Sequence, residues 1–131
     1  MDRKAKAGFI LSLLLFSMLP LAVQAEESGG IQAAAHTMAF QPANPVLGGS
    51  VDIEVTLHNS QQTDAFNVEV AVYKENIAQS NRLIFDTVTI YAQSSYTVTT
   101  TWSGLTEGTQ KVWFEFSAGG DTQARFYREF N

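Results

Sequence analysis

The chain has no cysteine, two histidines and three prolines in 131 residues. Without cysteine there is no disulfide, no thiol nucleophile, no thiolate metal site and no thiol to carry a lipid. The two histidines, His36 and His58, stand apart in the sequence, and neither has the spacing of a metal-binding or acid–base pair. No G-x-S-x-G, no H-E-x-x-H and no phosphate-cradling glycine loop occurs. Asp52 and Glu54 share a parity, but a hard-cation site wants about six to eight oxygens and a loop to supply them. Solvation of a strand face accounts for that pair, and hairpin-turn chemistry accounts for Gly119-Gly120-Asp121. The inventory points away from an enzyme, and it implies no cofactor and no metal.

Bases are also scarce. Eight Lys and Arg face 13 Asp and Glu, a formal net charge of -5. Three of the eight, Arg3, Lys4 and Lys6, crowd the first six residues, followed by an apolar run from Ala7 to Ala22. Val23-Gln24-Ala25 then places small residues where a signal peptidase reads, so residues 1–25 are expected to be a cleaved signal peptide. The run is shorter than the ~20 apolar residues of a spanning helix, and Pro20 interrupts it. The expected product is exported, to periplasm or cell surface, with no membrane span. Taking Asp2 from the acids and those three from the bases leaves 12 against five, a charge of -7. An acidic surface whose five bases form no run repels phosphate backbones, which argues against nucleic acid.

Beyond residue 25 the dominant signal is strand pattern. Glu26 to His36 carries neither a helical nor a strand period and is expected to be a flexible leader. Residues 37–131 are expected to form the domain, with Thr37 to Phe40 as a first strand. Pro42 and Pro45 confine the segment after it to an edge or an irregular stretch. Val51, Ile53, Val55 and Leu57 alternate with Asp52, Glu54, Thr56 and His58. Phe66, Val68, Val70 and Val72 repeat the alternation, with Glu69 and Tyr73 on the other side. In Arg82–Tyr91, Leu83 and Phe85 share one parity while Val88 and Ile90 share the other, which predicts a bulge or a change of sheet near Asp86. Tyr96, Val98, Thr100 and Trp102 alternate with threonines. Val112, Phe114 and Phe116 alternate with Lys111, Trp113, Glu115 and Ser117, and Ala124 and Phe126 with Arg125 and Tyr127. About seven short strands with turn signals between them predict an all-β, immunoglobulin-like antiparallel sandwich, a small barrel being the alternative.

If the valines and phenylalanines point inward, Tyr73, Trp113 and Tyr127 point outward from three strands that neighbour one another in an immunoglobulin-like order. Glu69, Lys111, Glu115 and Arg125 then surround them. Aromatics ringed by charges form the candidate partner-binding patch: Tyr73, Trp113, Tyr127, Lys111, Glu115 and Arg125. Trp102, in contrast, shares the parity of Val98 and is expected to plug one end of the core.

Phe40-Gln41-Pro42, Asn44-Pro45-Val46, the Gly48-Gly49 turn, VDIEVTLHN, FNVEVAVYKEN, SSYTVTTTW and KVWFEFS together resemble the CARDB-type domain, the immunoglobulin-like module related to bacterial cell adhesion. The resemblance covers roughly residues 38–117. It implies a non-catalytic extracytoplasmic module that contacts other molecules. With the aromatic patch and the lack of a catalytic set, the expectation is a module that docks onto another envelope or surface protein or onto copies of itself. A carbohydrate-binding module and a strand-exchanging subunit or chaperone of a surface fibre are the alternatives.

Overall fold

A computed structural model describes residues 25–120 and 123–131. The expected signal peptide lies outside the described residues except for Ala25. Among the described residues nine strands run in the order β1 (Ala25–Ser28), β2 (Ile31–Ala34), β3 (Ala39–Gln41), β4 (Ser50–Asn59), β5 (Ala65–Lys74), β6 (Arg82–Ile90), β7 (Ser95–Ser103), β8 (Gln110–Ser117) and β9 (Ala124–Phe130).

The alternation in the sequence becomes two packed sheets. In the first, β4 is central: β7 pairs along one side of it, and β2 and β3 pair end to end along the other. The second has the order β6-β5-β8-β9. All pairings are antiparallel. The chain crosses between sheets after β4, β6 and β7, and folds back within the second sheet at β5–β6 and β8–β9. This is an immunoglobulin-like sandwich in which β6 stays with the second sheet.

The core is the set of inward parities. Val51, Ile53, Val55 and Leu57 of β4 meet Val68, Val70 and Val72 of β5 and Val112, Phe114 and Phe116 of β8, all essentially inaccessible. Phe114 lies between Phe116 and Phe126, with ring centroids 5.7 and 5.6 Å away. At one end the Phe130 ring sits 4.6 Å from Phe40 and 5.8 Å, edge-on, from Trp102, so Trp102 closes the core as its parity predicts.

Three local expectations are corrected. Residues 26–36 are no flexible leader, because β1 and β2 form a hairpin whose Ile31 pairs with Asn59 of β4 and is fully buried. The expected strand Thr37–Phe40 begins only at Ala39, after a single 3-10 turn over Ala35–Thr37. Phe66 does not join the inward row. Asn67 adopts φ 57°, the register between β5 and β6 shifts between Ala65 and Val68, and Phe66 is left 63% exposed.

Candidate interaction face

The bulge in β6 is not at Asp86. Ile84 pairs with Val72 and Arg82 with Tyr73, so the extra residue is Leu83. Leu83 and Ile84 both pack against the core, and Phe85 is turned to the outer face, 48% exposed. That shift completes a row the sequence shows only in part. Arg82, Tyr73, Trp113 and Tyr127 stand side by side across all four strands of the second sheet. The next row is Phe85, Ala71, Glu115 and Arg125.

Outward parity holds for the six predicted residues, yet they divide into two groups. Tyr73 and Glu115 are covered by their neighbours, 7% and 8% exposed, and serve as the floor of the face. The Tyr73 hydroxyl donates to Glu115 Oε1 at 3.3 Å, and Arg125 Nη2 lies 2.8 Å from Glu115 Oε2. A nearly buried carboxylate with both oxygens engaged is fixed in place; it is not available to an incoming molecule. The accessible group is Tyr127, Lys111, Arg125 and the half-buried Trp113. The Trp113 and Tyr127 rings lie 4.9 Å apart at 50°, and the Lys111 ammonium sits 4.4 Å from the Tyr127 centroid and 5.9 Å from that of Trp113. Arg82 is placed in the same way over Phe85, at 4.8 Å. Glu69 is exposed on the same face.

Arg82 and Phe85 escape the sequence reading because the bulge lies at Leu83, nearer the start of the strand than Asp86. The signal that finds Phe85 is Ile84, which shares the parity of Val88 and Ile90 and so assigns Phe85 to the opposite side; Arg82 shares that parity too, and only the register shift turns it outward.

Charge is partitioned between the sheets. All five bases beyond residue 6 lie on strands of the second sheet: Lys74, Arg82, Lys111, Arg125 and Arg128. The first sheet carries none, and its outer face is acidic and threonine-rich. There Thr101 donates to Asp52 at 2.7 Å, and Thr56 meets Thr97 at 3.2 Å. No group of three or more His, Asp or Glu side chains suited to a metal ion occurs among the described residues. No helix among them is long and apolar enough to cross a membrane.

No family model and no curated protein sequence matches the chain. Solved structures do. The CARDB domain of a Pyrococcus furiosus protein, crystallised in complex with di-metal ions, superposes over 91% of this chain and 98% of its own, with a TM-score of 0.56 and 12% identity. The Pseudomonas fluorescens alkylpurine DNA glycosylase AlkC, bound to DNA containing an abasic site analog, matches 74% of this chain with a TM-score of 0.50 and 11% identity. A β-glucosidase from Listeria innocua matches 72% with a TM-score of 0.49 and 20% identity. The chain spans 30% of that glycosylase and 16% of that glucosidase. At identities this low the likeness is one of architecture, and the architecture of this chain is that of a CARDB-type immunoglobulin-like domain.

Proposed function

We propose that this protein is a non-catalytic, exported interaction module that docks a partner protein of the cell envelope through the outer face of its second sheet. The observation that carries the reading is the row Arg82–Tyr73–Trp113–Tyr127. At one end of the row Arg82 lies over the exposed Phe85 ring of the adjacent row, and at the other the exposed Tyr127 ring has the Lys111 ammonium over it. Its middle is held rigid by the Tyr73–Glu115–Arg125 chain. Rigid aromatic anchors with cations beside them are what protein interfaces concentrate at their centres. The cations favour a partner that presents carboxylates around an apolar patch, and the acidic remainder of the molecule repels acidic surfaces elsewhere. Export by way of residues 1–25 puts the domain where such partners are.

A glycan would instead need a flat, open ring face to stack on. The 50° tilt between Trp113 and Tyr127, with an ammonium over the latter, does not offer one.

The test is affinity capture from the native envelope with wild-type protein, Trp113→Ala, Tyr127→Ala and Lys111→Glu. The expected result is one acidic partner retained by wild type and weakened at least tenfold by each substitution. The melting temperature of Tyr127→Ala and Lys111→Glu should move by only a few degrees. Equal retention of that partner by all four proteins would overturn the reading.

A further inference from the structure

Among the described residues, every free edge of the two sheets but one is guarded. The ladder between β6 and β5 is irregular at both ends, and β6 directs Asp86, the partner of inward Val70, toward the interior side. Strand β9 carries Arg125, Arg128 and Glu129, and the Arg128 guanidinium donates to the Met38 carbonyl across its edge. On the far side of the first sheet, β1 is four residues long with Glu26 and Glu27, and β3 is three residues long and runs into Pro42. Short strands, bulges, inward charges and proline are the devices that keep sheet edges from pairing with other chains.

Strand β7 has none of them. Its nine residues, SYTVTTTWS, contain no charge, no proline and no glycine. They pair with β4 in unbroken register from Ser95↔His58 to Ser103↔Ser50. Among the described residues β7 pairs with β4 alone, so one full side of its backbone is unpaired.

The strand is also nearly its own mirror image. Laid antiparallel against a second β7 about Thr99, it sets Ser95 against Ser103, Tyr96 against Trp102, Thr97 against Thr101 and Val98 against Thr100. Each pairing joins like shapes, and threonine–threonine and aromatic–aromatic pairs are favourable cross-strand neighbours. Because partners share parity, the inward row continues the inward row of the other copy. The outward threonines likewise continue the outward face.

We propose that β7 is the pairing edge for a second copy of this chain, joined antiparallel about a twofold axis at Thr99, so that the two first sheets become one continuous sheet. Such an interface is isologous and closes at the dimer. The acids nearest the seam, Asp52 and Glu54, sit one strand inside it. Across three strand spacings Glu54 faces its counterpart at roughly 14 Å, beyond the ~8 Å Debye length at physiological salt, and Asp52 faces Thr56 of the other copy. The charge of the molecule therefore does not oppose this edge, as it would a face-to-face contact. The inference is independent of the aromatic face, which lies on the other sheet.

Sedimentation across concentration, with cysteine variants for register, tests it. Wild type is expected to show a reversible monomer–dimer equilibrium. Thr99→Lys sets two cations against each other at the axis and should raise the dissociation constant at least tenfold. The same side chain lies opposite Glu54 within its own copy, so the fold, followed by circular dichroism, is retained. The chain has no cysteine of its own, and strands paired antiparallel hold opposed Cα atoms about 4.5–5.5 Å apart, within disulfide reach. Oxidised Thr99→Cys should cross-link to itself. Thr97→Cys and Thr101→Cys should each fail alone and cross-link when mixed. Three outcomes overturn the proposal: a monomer at every concentration, equal cross-linking of Thr99→Cys and Thr97→Cys, or a dimer that survives Thr99→Lys and is lost in Trp113→Ala.

Discussion

The Asn59 side chain is fully buried at the end of β4, and its hydrogen bonds go to backbone. Its Nδ2 donates to the Ile90 carbonyl at 2.9 Å and to that of Thr63 at 3.0 Å, and its Oδ1 accepts from the Gln61 N–H at 3.0 Å. One amide thus fixes the loop between the sheets and holds it to the end of β6. Asn59→Ala removes all three bonds, the one to Ile90 fully buried and the two to the loop part-buried. Each orphaned buried group costs about 1–3 kcal/mol, so the loss expected from urea unfolding is about 2–4 kcal/mol, with an unchanged m-value. Asn59→Asp keeps the size and the acceptor but turns a carboxylate toward two carbonyls, so it should not rescue. At this scale the sequence misleads: Asn59 to Asp64 reads as a polar loop, yet Asn59 ends β4 on its buried side, and no sequence pattern shows the partners of its side chain. Ile90 is 31 residues away, and no local pattern connects the two.

Between strands, the decisive features are two bulges. Residues obey strand parity wherever the ladder is unbroken, which is why β4, β7, β8 and β9 are legible in the sequence and the core with them. Parity fails after an extra residue, because one insertion reverses every later side chain. Asn67 lies in the left-handed region at φ 57°, a conformation asparagine tolerates and β-branched residues do not. Asn67→Val should therefore cost about 1–3 kcal/mol. Asn67→Gly should be tolerated within about 0.5 kcal/mol, since glycine enters this region without steric cost, and the pair of melting curves measures the strain directly. A bulge leaves little trace in composition, since it is set by how two strands meet rather than by either one. The aromatic face is only partly legible for the same reason. Trp113, Tyr127, Lys111 and Arg125 follow from parity in unbroken strands, whereas Phe85 and Arg82 sit on either side of the Leu83 bulge, where parity misleads. Parity also says nothing of depth, so it does not show that Tyr73 and Glu115 lie beneath their neighbours.

For the molecule as a whole, the unexpected structural member is the N-terminal hairpin. Polar, glycine-bearing composition suggests a loose leader, yet its turn is pressed against two distant places. The Ser28 hydroxyl accepts from the Ala118 N–H at 3.1 Å. Gly29 has φ 55°, and a Cβ there would stand 2.8 Å from the Ala118 carbonyl oxygen, a backbone atom with little freedom to retreat. Behind the turn, Ile31 fills the core beside β4. With no disulfide to staple the chain, such contacts must be shared by one cooperative unit. Gly29→Ala then strains the backbone and pushes the hairpin off Ala118, and it should lower global stability by about 1–3 kcal/mol. Ile31→Ala empties a closed site and should cost about 2–5 kcal/mol. Both losses should appear in the unfolding of the whole domain, with the β4 amides exchanging hydrogen faster in step with it. If the hairpin were an appendage, both substitutions would leave the main transition where it is and quicken exchange only in residues 25–34. A single shifted transition therefore identifies the hairpin as part of the sandwich, and two separable ones would return it to the status its composition suggests.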